Sequence, residues 1–150
     1  MISLIKEINP TTNFIFTVSP VRHIKDGFIE NQQSKSHLIT ALHQVIKSHE
    51  SSFYFPSYEI MMDELRDYRF YKEDMIHPNN IAVNYIWEKL SEKWFSNEAL
   101  QIIEQIKKIQ RNLEHKPFNS ESLSYGEFIK STEQKIKQLQ EKLPHIFFNY

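Results

Sequence analysis

The sequence predicts an α/β fold followed by a helical hairpin. Asn13 to Val18 is a short run rich in aromatic and β-branched residues, which is typical of a buried strand. Between Gln33 and His49, apolar residues recur at helical spacing, and Phe53 to Phe55 forms a second short apolar run that Pro56 ends. Because this order and length match a βαβ unit, we expect two parallel strands covered by one helix.

The segment after Pro56 should carry a short helix, a loop and a longer helix. Ser57 can cap a helix that runs to Leu65, and residues 66–74 have no clear period and are predicted to form a loop. Pro78 suits the first turn of the next helix. The apolar face of that helix would be formed by Ile81, Ala82, Tyr85, Ile86, Trp87, Leu90 and Trp94.

The remaining residues predict two paired helices and a domain boundary near Ser96. One helix should begin at Ser96-Asn97 and end at Pro117, and a second should begin near Ser120. The second helix carries an apolar stripe at a three-four spacing, so an antiparallel hairpin is expected. The stripe consists of Phe128, Ile129, Thr132, Ile136, Leu139 and Leu143. We therefore predict an α/β part at 1–96 and a hairpin at 97–150.

Composition excludes several classes of function. A net charge of −1 gives no overall field to attract nucleic acid or an anionic membrane, so neither is an expected partner. The absence of cysteine excludes disulfides and thiolate chemistry and fits a cytoplasmic location. Gly27 and Gly126 are the two glycines of the chain, so Gly-rich phosphate loops are absent and no cofactor is expected. The N-terminal segment matches neither a signal peptide nor a membrane span.

Asp74 and His77 form the most informative motif. A carboxylate three residues before a histidine can hold the imidazole in one tautomer and stabilise its cation, while the imidazole accepts a proton from a nucleophile. The alternative is structural, because a polar residue shortly before a helix-opening proline is often only a cap. No residue of the sequence is an evident nucleophile.

Other polar and aromatic residues allow weaker interpretations. His23 follows the first strand, at the end where α/β sheets place ligands, although it is otherwise an ordinary loop histidine. Tyr68 and Tyr71 lie in the predicted loop and are candidates for contacting a ligand, whereas the neighbouring aromatics favour core packing. The acidic residues between Glu59 and Asp67 alternate with arginines and predict local ion pairs. His37, His43 and His49 are spaced by six, which does not align them on one helical face, so no metal site is expected.

Three segments together resemble the GSCFA family, a branch of the SGNH-type hydrolases. They are TVSPVRH at Thr17 to His23, ENQQSKSHL at Glu30 to Leu38, and FPSYEIMMDELRDYRFYKEDMIHP at Phe55 to Pro78. The similarity covers roughly Asn13 to Trp94, and HKPFNSES at His115 to Ser122 is also similar. The resemblance implies a three-layer, flavodoxin-like fold, of which residues 1–96 would be the C-terminal half.

The resemblance also implies an ester or acyl hydrolase in which Asp74 and His77 are the acid and base of a Ser-His-Asp triad. Arg22 and His23 would then contact substrate or support the residues that do, and Tyr68 and Tyr71 are the further candidates for substrate contact. The family's Gly-Ser-Cys-Phe-Ala segment, which holds the presumed serine nucleophile, has no counterpart in the sequence. We therefore expect the chain to be nearly inactive alone and to need an N-terminal half that carries the serine, or a second copy of itself. The alternative is a non-catalytic interaction module in which the hairpin forms an oligomer.

Overall fold

The computed structural model describes residues 1–117 and 122–148. The chain divides into two compact units, Met1–Trp94 and Phe95–Tyr150. The predicted start of the last helix at Ser120 lies outside the described residues, as does part of the segment from His115 to Ser122.

The first unit contains a βαβ arrangement. Helix α1 (Ile2–Ile8) precedes strand β1 (Phe14–Phe16), helix α2 (Phe28–Lys47) and strand β2 (Ser52–Tyr54). The strands pair in parallel, with Phe14 opposite Ser52 and Phe16 opposite Tyr54. The prediction of a parallel pair is therefore confirmed. The sheet that the described residues form has two strands, so the three-layer flavodoxin-like plan stays a prediction.

Helix α2 begins earlier than the hydrophobic pattern indicates. The structure starts it at Phe28 rather than Gln33. Gly27 precedes it with a φ of 116°, a backbone conformation that residues with a Cβ rarely adopt. The first turn of α2 exposes Phe28 and Ile29, 75% and 78% respectively, so no apolar face marks it in the sequence.

The segment after β2 folds into short helical turns and a longer helix. Helix α3 (Ser57–Glu59) continues as a π-helical turn at Ile60–Glu64, and a 3₁₀ turn follows at Tyr68–Phe70. Ser57 does not cap α3 as predicted, because its hydroxyl instead donates to the carbonyl of Val18 at 2.8 Å. Helix α4 (Asn80–Trp94) begins after Pro78, and Asn79 caps it by accepting hydrogen bonds from the N–H groups of Ile81 and Ala82.

The core of the first unit lies between these turns and α4. Its buried members are Phe55, Ile60, Met61, Leu65, Tyr71 and Ala82. Met61 is fully buried and Tyr71 is 9% exposed, so the loop that carries the predicted site is fixed to the core on one side. This anchoring places the backbone from Tyr71 to Pro78 against the body of the unit.

The second unit is a pair of helices. Helix α5 (Asn97–Glu114) begins after Ser96, whose hydroxyl accepts a hydrogen bond from the N–H of Ala99. Helix α6 (Leu123–Lys142) begins after Ser122, which caps it through the N–H of Tyr125. Asn112, late in α5, bonds to Thr132, whereas the earlier Ile109 packs with residues further along α6, so the helices run antiparallel. The buried centre of this unit consists of Ile109, Ile136 and Leu139.

Candidate functional site

A tight loop between Tyr71 and Pro78 presents Asp74 and His77. Tyr71 and Pro78 form an antiparallel bridge, and the N–H of Lys72 donates to the carbonyl of His77 at 2.8 Å. Within the loop, Met75 has a φ of 57°, which is unusual for a residue with a side chain. The closed loop returns the chain on itself and brings the side chains of Asp74 and His77 together.

Asp74 holds the histidine through both of its carboxylate oxygens. Its Oδ2 lies 2.7 Å from Nδ1 of His77, which meets the geometry expected of an acid and base pair. Its Oδ1 accepts hydrogen bonds from the backbone N–H groups of Ile76 at 2.9 Å and His77 at 3.0 Å. These bonds fix the carboxylate plane relative to the imidazole.

The same hydrogen bonds keep Asp74 ionised. The backbone N–H of His77 contributes most, followed by the N–H of Ile76 and the His77 ring, and together they lower the pKa of Asp74 to about 2. A carboxylate opposite Nδ1 favours the tautomer that carries the proton on Nδ1 and leaves Nε2 as an acceptor. Within the described residues, Nε2 of His77 forms no hydrogen bond, and the side chain is 52% exposed.

Arg22 connects the loop after β1 to this motif. Its Nη1 donates to the carbonyl of Met75 at 3.4 Å, and its backbone N–H reaches the carbonyl of Ile76 at 3.5 Å. The guanidinium also lies 4.5 Å from the ring centre of Tyr71 and 5.7 Å from that of Tyr68. Three of the four residues predicted to contact substrate are thus in one cluster.

Two pockets border this cluster. The larger, of about 430 Å³, is lined by Arg22, Tyr68 and Tyr71 with Met61 and Arg66 among its other walls. The smaller, of about 260 Å³, is lined by Arg22, Tyr68 and Asp74, with Ile24, Phe28 and Met75 completing its wall. The loops after β1 and before α4 therefore share a concavity.

His23 has a different environment from the other predicted site residues. Its backbone N–H donates to Oδ1 of Asn31 at 2.7 Å, and its exposed ring lies 3.6 Å from Asp26. Among the described residues, the walls of the two pockets include neither His23 nor His77. The shared concavity is thus formed by the two loops, and neither histidine lines it.

Two residues that support the site were not singled out from the sequence. Lys35 of α2 is buried and donates from Nζ to the carbonyl of Ser19 at 2.7 Å, which fixes the start of the loop that carries Arg22. Desolvation lowers the pKa of Lys35. Asn79 donates from Nδ2 to the carbonyl of Arg69 at 2.6 Å and so ties α4 to the 3₁₀ turn. Asn79 could have been found as a helix cap, whereas nothing in the local pattern marks Lys35 as buried.

The described residues contain no group of three or more His, Cys, Asp or Glu side chains placed to hold a metal ion. In the same part of the chain, none of the helices combines the length and apolar character needed to cross a membrane.

Comparison with known protein families assigns the chain. Residues 1–90 match the model of the GSCFA family, and residues 106–150 match the model described as GSCFA domain protein, C-terminal domain. The chain belongs to the GSCFA family. No curated protein and no solved structure matches it significantly. The family resemblance predicted from the sequence is therefore confirmed.

Proposed function

We propose that this GSCFA chain supplies the acid and base of a Ser-His-Asp triad in an SGNH-like ester or acyl hydrolase. The observation that carries the proposal is the 2.7 Å contact between Asp74 Oδ2 and His77 Nδ1, with Oδ1 held by two backbone N–H groups. A capping aspartate needs only the backbone bonds. The additional contact to the imidazole, with Nε2 open to solvent, is what a general base requires.

In the proposed reaction, Nε2 of His77 accepts the proton of a serine hydroxyl as its oxygen attacks the ester carbonyl. The same proton then passes to the departing alcohol, leaving an acyl-serine. Water then attacks the acyl-serine as His77 accepts its proton, and His77 returns that proton to the serine oxygen as the acid is released. Asp74 remains ionised and stabilises the imidazolium at each stage, in keeping with its lowered pKa.

The nucleophile is proposed to come from a Gly-Ser-Cys-Phe-Ala segment outside the 150 residues of this chain. Ser19 and Ser57, the first serines after the carboxyl ends of β1 and β2, are engaged elsewhere. Ser57 is buried and donates to the carbonyl of Val18, and the hydroxyl of Ser19 accepts a hydrogen bond from the N–H of Val21. The exposure of His77 and Asp74, 52% and 43% respectively, is consistent with a half-site that a second segment covers.

The test combines this chain with a polypeptide from another GSCFA protein that contains the Gly-Ser-Cys-Phe-Ala segment. Hydrolysis of p-nitrophenyl acetate and labelling of the serine by a fluorophosphonate are measured. Alone, the chain should hydrolyse the ester no faster than its His77→Ala variant. In the mixture, His77→Ala should lower kcat by about 100-fold or more, which is the usual contribution of a general base.

Matched controls separate the pair from any surface histidine or aspartate. His37→Ala removes an exposed histidine of α2, and Asp26→Asn removes a carboxylate that lies 3.6 Å from a histidine ring. Neither should change kcat. A serine-dependent activity that His77→Ala leaves intact would refute the proposal. A mixture without activity would favour the non-catalytic interaction module.

A further inference from the structure

Arg22 is the cation at the centre of the candidate site. Among the described residues, no Asp or Glu oxygen forms an ion pair with Arg22, although the side chain is half-buried. The other charged residues of the larger pocket are paired. Arg66 contacts Asp63 at 3.1 Å, and Asp67 accepts from the backbone N–H of Arg69 and lies 3.7 Å from its Nε.

A guanidinium has five N–H donors in a planar fork, and the carbonyl of Met75 takes up one nitrogen of Arg22 at 3.4 Å. Tyr71 and Tyr68 lie beside the guanidinium, which limits the positions that its plane can adopt. The Arg22 guanidinium is thus held in place, retains unused N–H donors and has no carboxylate partner among the described residues. Such a group is suited to bidentate recognition of an oxyanion.

Arg22 lines both pockets, so one ligand can contact it from either side. The larger pocket has two apolar lining residues, Met61 and Met62. The smaller pocket has Asp74 on one wall and an exposed aromatic rim at Phe28. The ionised Asp74 repels an anion from the smaller pocket, whereas the charge of Asp67 in the larger pocket is offset by Arg69 at 3.7 Å, which favours the larger pocket for the charged end of a ligand.

We propose that Arg22 binds an oxyanion carried by an otherwise apolar ligand, with the charged group in the larger pocket. One part of this inference rests on the proposed function: if the chain is part of an ester hydrolase, the ligand is an ester substrate that carries a carboxylate or phosphate remote from the scissile bond. The ester then extends past Arg22 toward Asp74. The binding site itself requires no hydrolysis and is tested without it.

The experiment titrates the whole chain with 4-phenylbutyrate and with its neutral isostere 4-phenylbutanamide, followed by ¹H–¹⁵N NMR. The carboxylate should shift the amide signals of Arg22, Tyr68 and Met75 and bind about tenfold or more tightly than the amide. Arg22→Gln should abolish this preference. Arg22→Lys should keep part of it, because lysine retains the charge but lacks the planar fork. Phenyl phosphate, compared with phenol, distinguishes a phosphate from a carboxylate as the preferred anion.

Arg66→Gln is the matched control, because Arg66 lines the same pocket but is paired with Asp63. The preference for the anion should persist in this variant. Since Arg22→Gln also removes a bond to Met75, Tyr68→Ala provides a second variant that leaves that bond in place. It should weaken both ligands alike by removing the aromatic wall.

Equal binding of the acid and the amide by the unaltered chain would overturn the inference, as would a preference that survives Arg22→Gln. Selective binding by Arg22 in a chain whose serine-complemented form does not hydrolyse esters would reject the proposed function alone. Hydrolysis that depends on His77 but shows no preference for anionic esters would reject the anion site alone.

Discussion

Asp74 accepts two hydrogen bonds from the same residue, one from the backbone N–H of His77 at 3.0 Å and one at 2.7 Å from its ring Nδ1. The backbone bond fixes the position of the carboxylate. From that position Oδ2 lies within hydrogen-bond distance of the ring nitrogen. His23 and Asp26 have the same spacing in the sequence, yet their side chains are 3.6 Å apart. The spacing alone therefore does not create the pair, and the turn at Met75 does.

The carboxyl of Asp74 should titrate well below an ordinary aspartate. Its pKa is lowered from 3.8 to about 2, chiefly by the N–H groups of His77 and Ile76. Carboxyl ¹³C NMR should therefore give a midpoint near pH 2. In His77→Ala the two backbone bonds remain, so the midpoint should stay below 3.8. A return to the ordinary value in that variant would show that the ring, rather than the backbone, dominates.

The lowered pKa makes the loop sensitive to acid. Because the folded-state pKa of Asp74 lies below the unfolded value of 3.8, its ionised form stabilises the fold above pH 3.8, and this contribution is lost as pH falls toward about 2. The free energy of unfolding should thus differ between the unaltered chain and Asp74→Asn at neutral pH, and the difference should shrink on acidification. Urea unfolding across this range measures it, with Asp26→Asn as the comparator for loss of a surface charge. A difference in the free energy of unfolding that grows on acidification would contradict this prediction.

The neutral imidazole of His77 should carry its proton on Nδ1. Asp74 lies 2.7 Å from that nitrogen and, as a carboxylate, can only accept. Long-range ¹H–¹⁵N NMR distinguishes the two tautomers. Asp74→Asn should reduce the share of the Nδ1–H form, because an amide can present either an acceptor or a donor to the ring. The exposed His37 serves as the internal reference, and identical ¹⁵N patterns for the two histidines would argue against the orienting role.

Local patterns predicted the elements better than they predicted the site. The strands near Phe14 and Phe53, and the cap at Ser96, follow from short apolar runs, turn residues and capping chemistry that act within a few residues. The start of α2 was missed because its first turn is exposed, so its apolar residues face solvent rather than a core.

The support of the site depends on contacts between distant parts of the chain. Arg22 and Met75 are 53 positions apart, and Lys35 and Ser19 are 16 positions apart. Hydrophobic periodicity does not predict contacts between residues so far apart in the sequence. The pairing of Asp74 with His77 was open to sequence reasoning, since it lies within one turn, whereas the pockets on either side of Arg22 were not.

The first unit should associate through its sheet. Ile15 and Phe53 are opposite each other in the register and are 45% and 38% exposed. Parallel sheets are normally covered on both faces, and in the described residues no third strand pairs with β1 or β2. Light scattering should show concentration-dependent self-association that Ile15→Glu reduces.

A variant in the helical hairpin tests the alternative interface. Leu123 at the start of α6 is 90% exposed, and Leu123→Glu should leave the association unchanged if the sheet is responsible. Loss of association in Leu123→Glu, with none in Ile15→Glu, would instead favour the module in which the hairpin forms the oligomer. A strictly monomeric chain would reject both surfaces.

The hairpin should depend on one polar contact between its helices. Thr132 is 1% exposed, and its hydroxyl accepts from Nδ2 of Asn112 at 3.1 Å while donating to the carbonyl of Phe128 at 3.0 Å. Thr132→Val keeps the shape of the side chain but leaves Asn112 without this acceptor. It should therefore lower the free energy of unfolding, measured with urea, by about 1 kcal/mol.

Thr40→Val is the matched control. Thr40 is exposed and makes the same kind of bond within α2, to the carbonyl of Ser36, so its replacement should change the free energy of unfolding by less than about 0.5 kcal/mol. If the contact is responsible, Asn112→Ala and Thr132→Val should be non-additive when combined. Equal losses for the two threonine variants would show that the bond within the helix, rather than the contact between the helices, carries the effect.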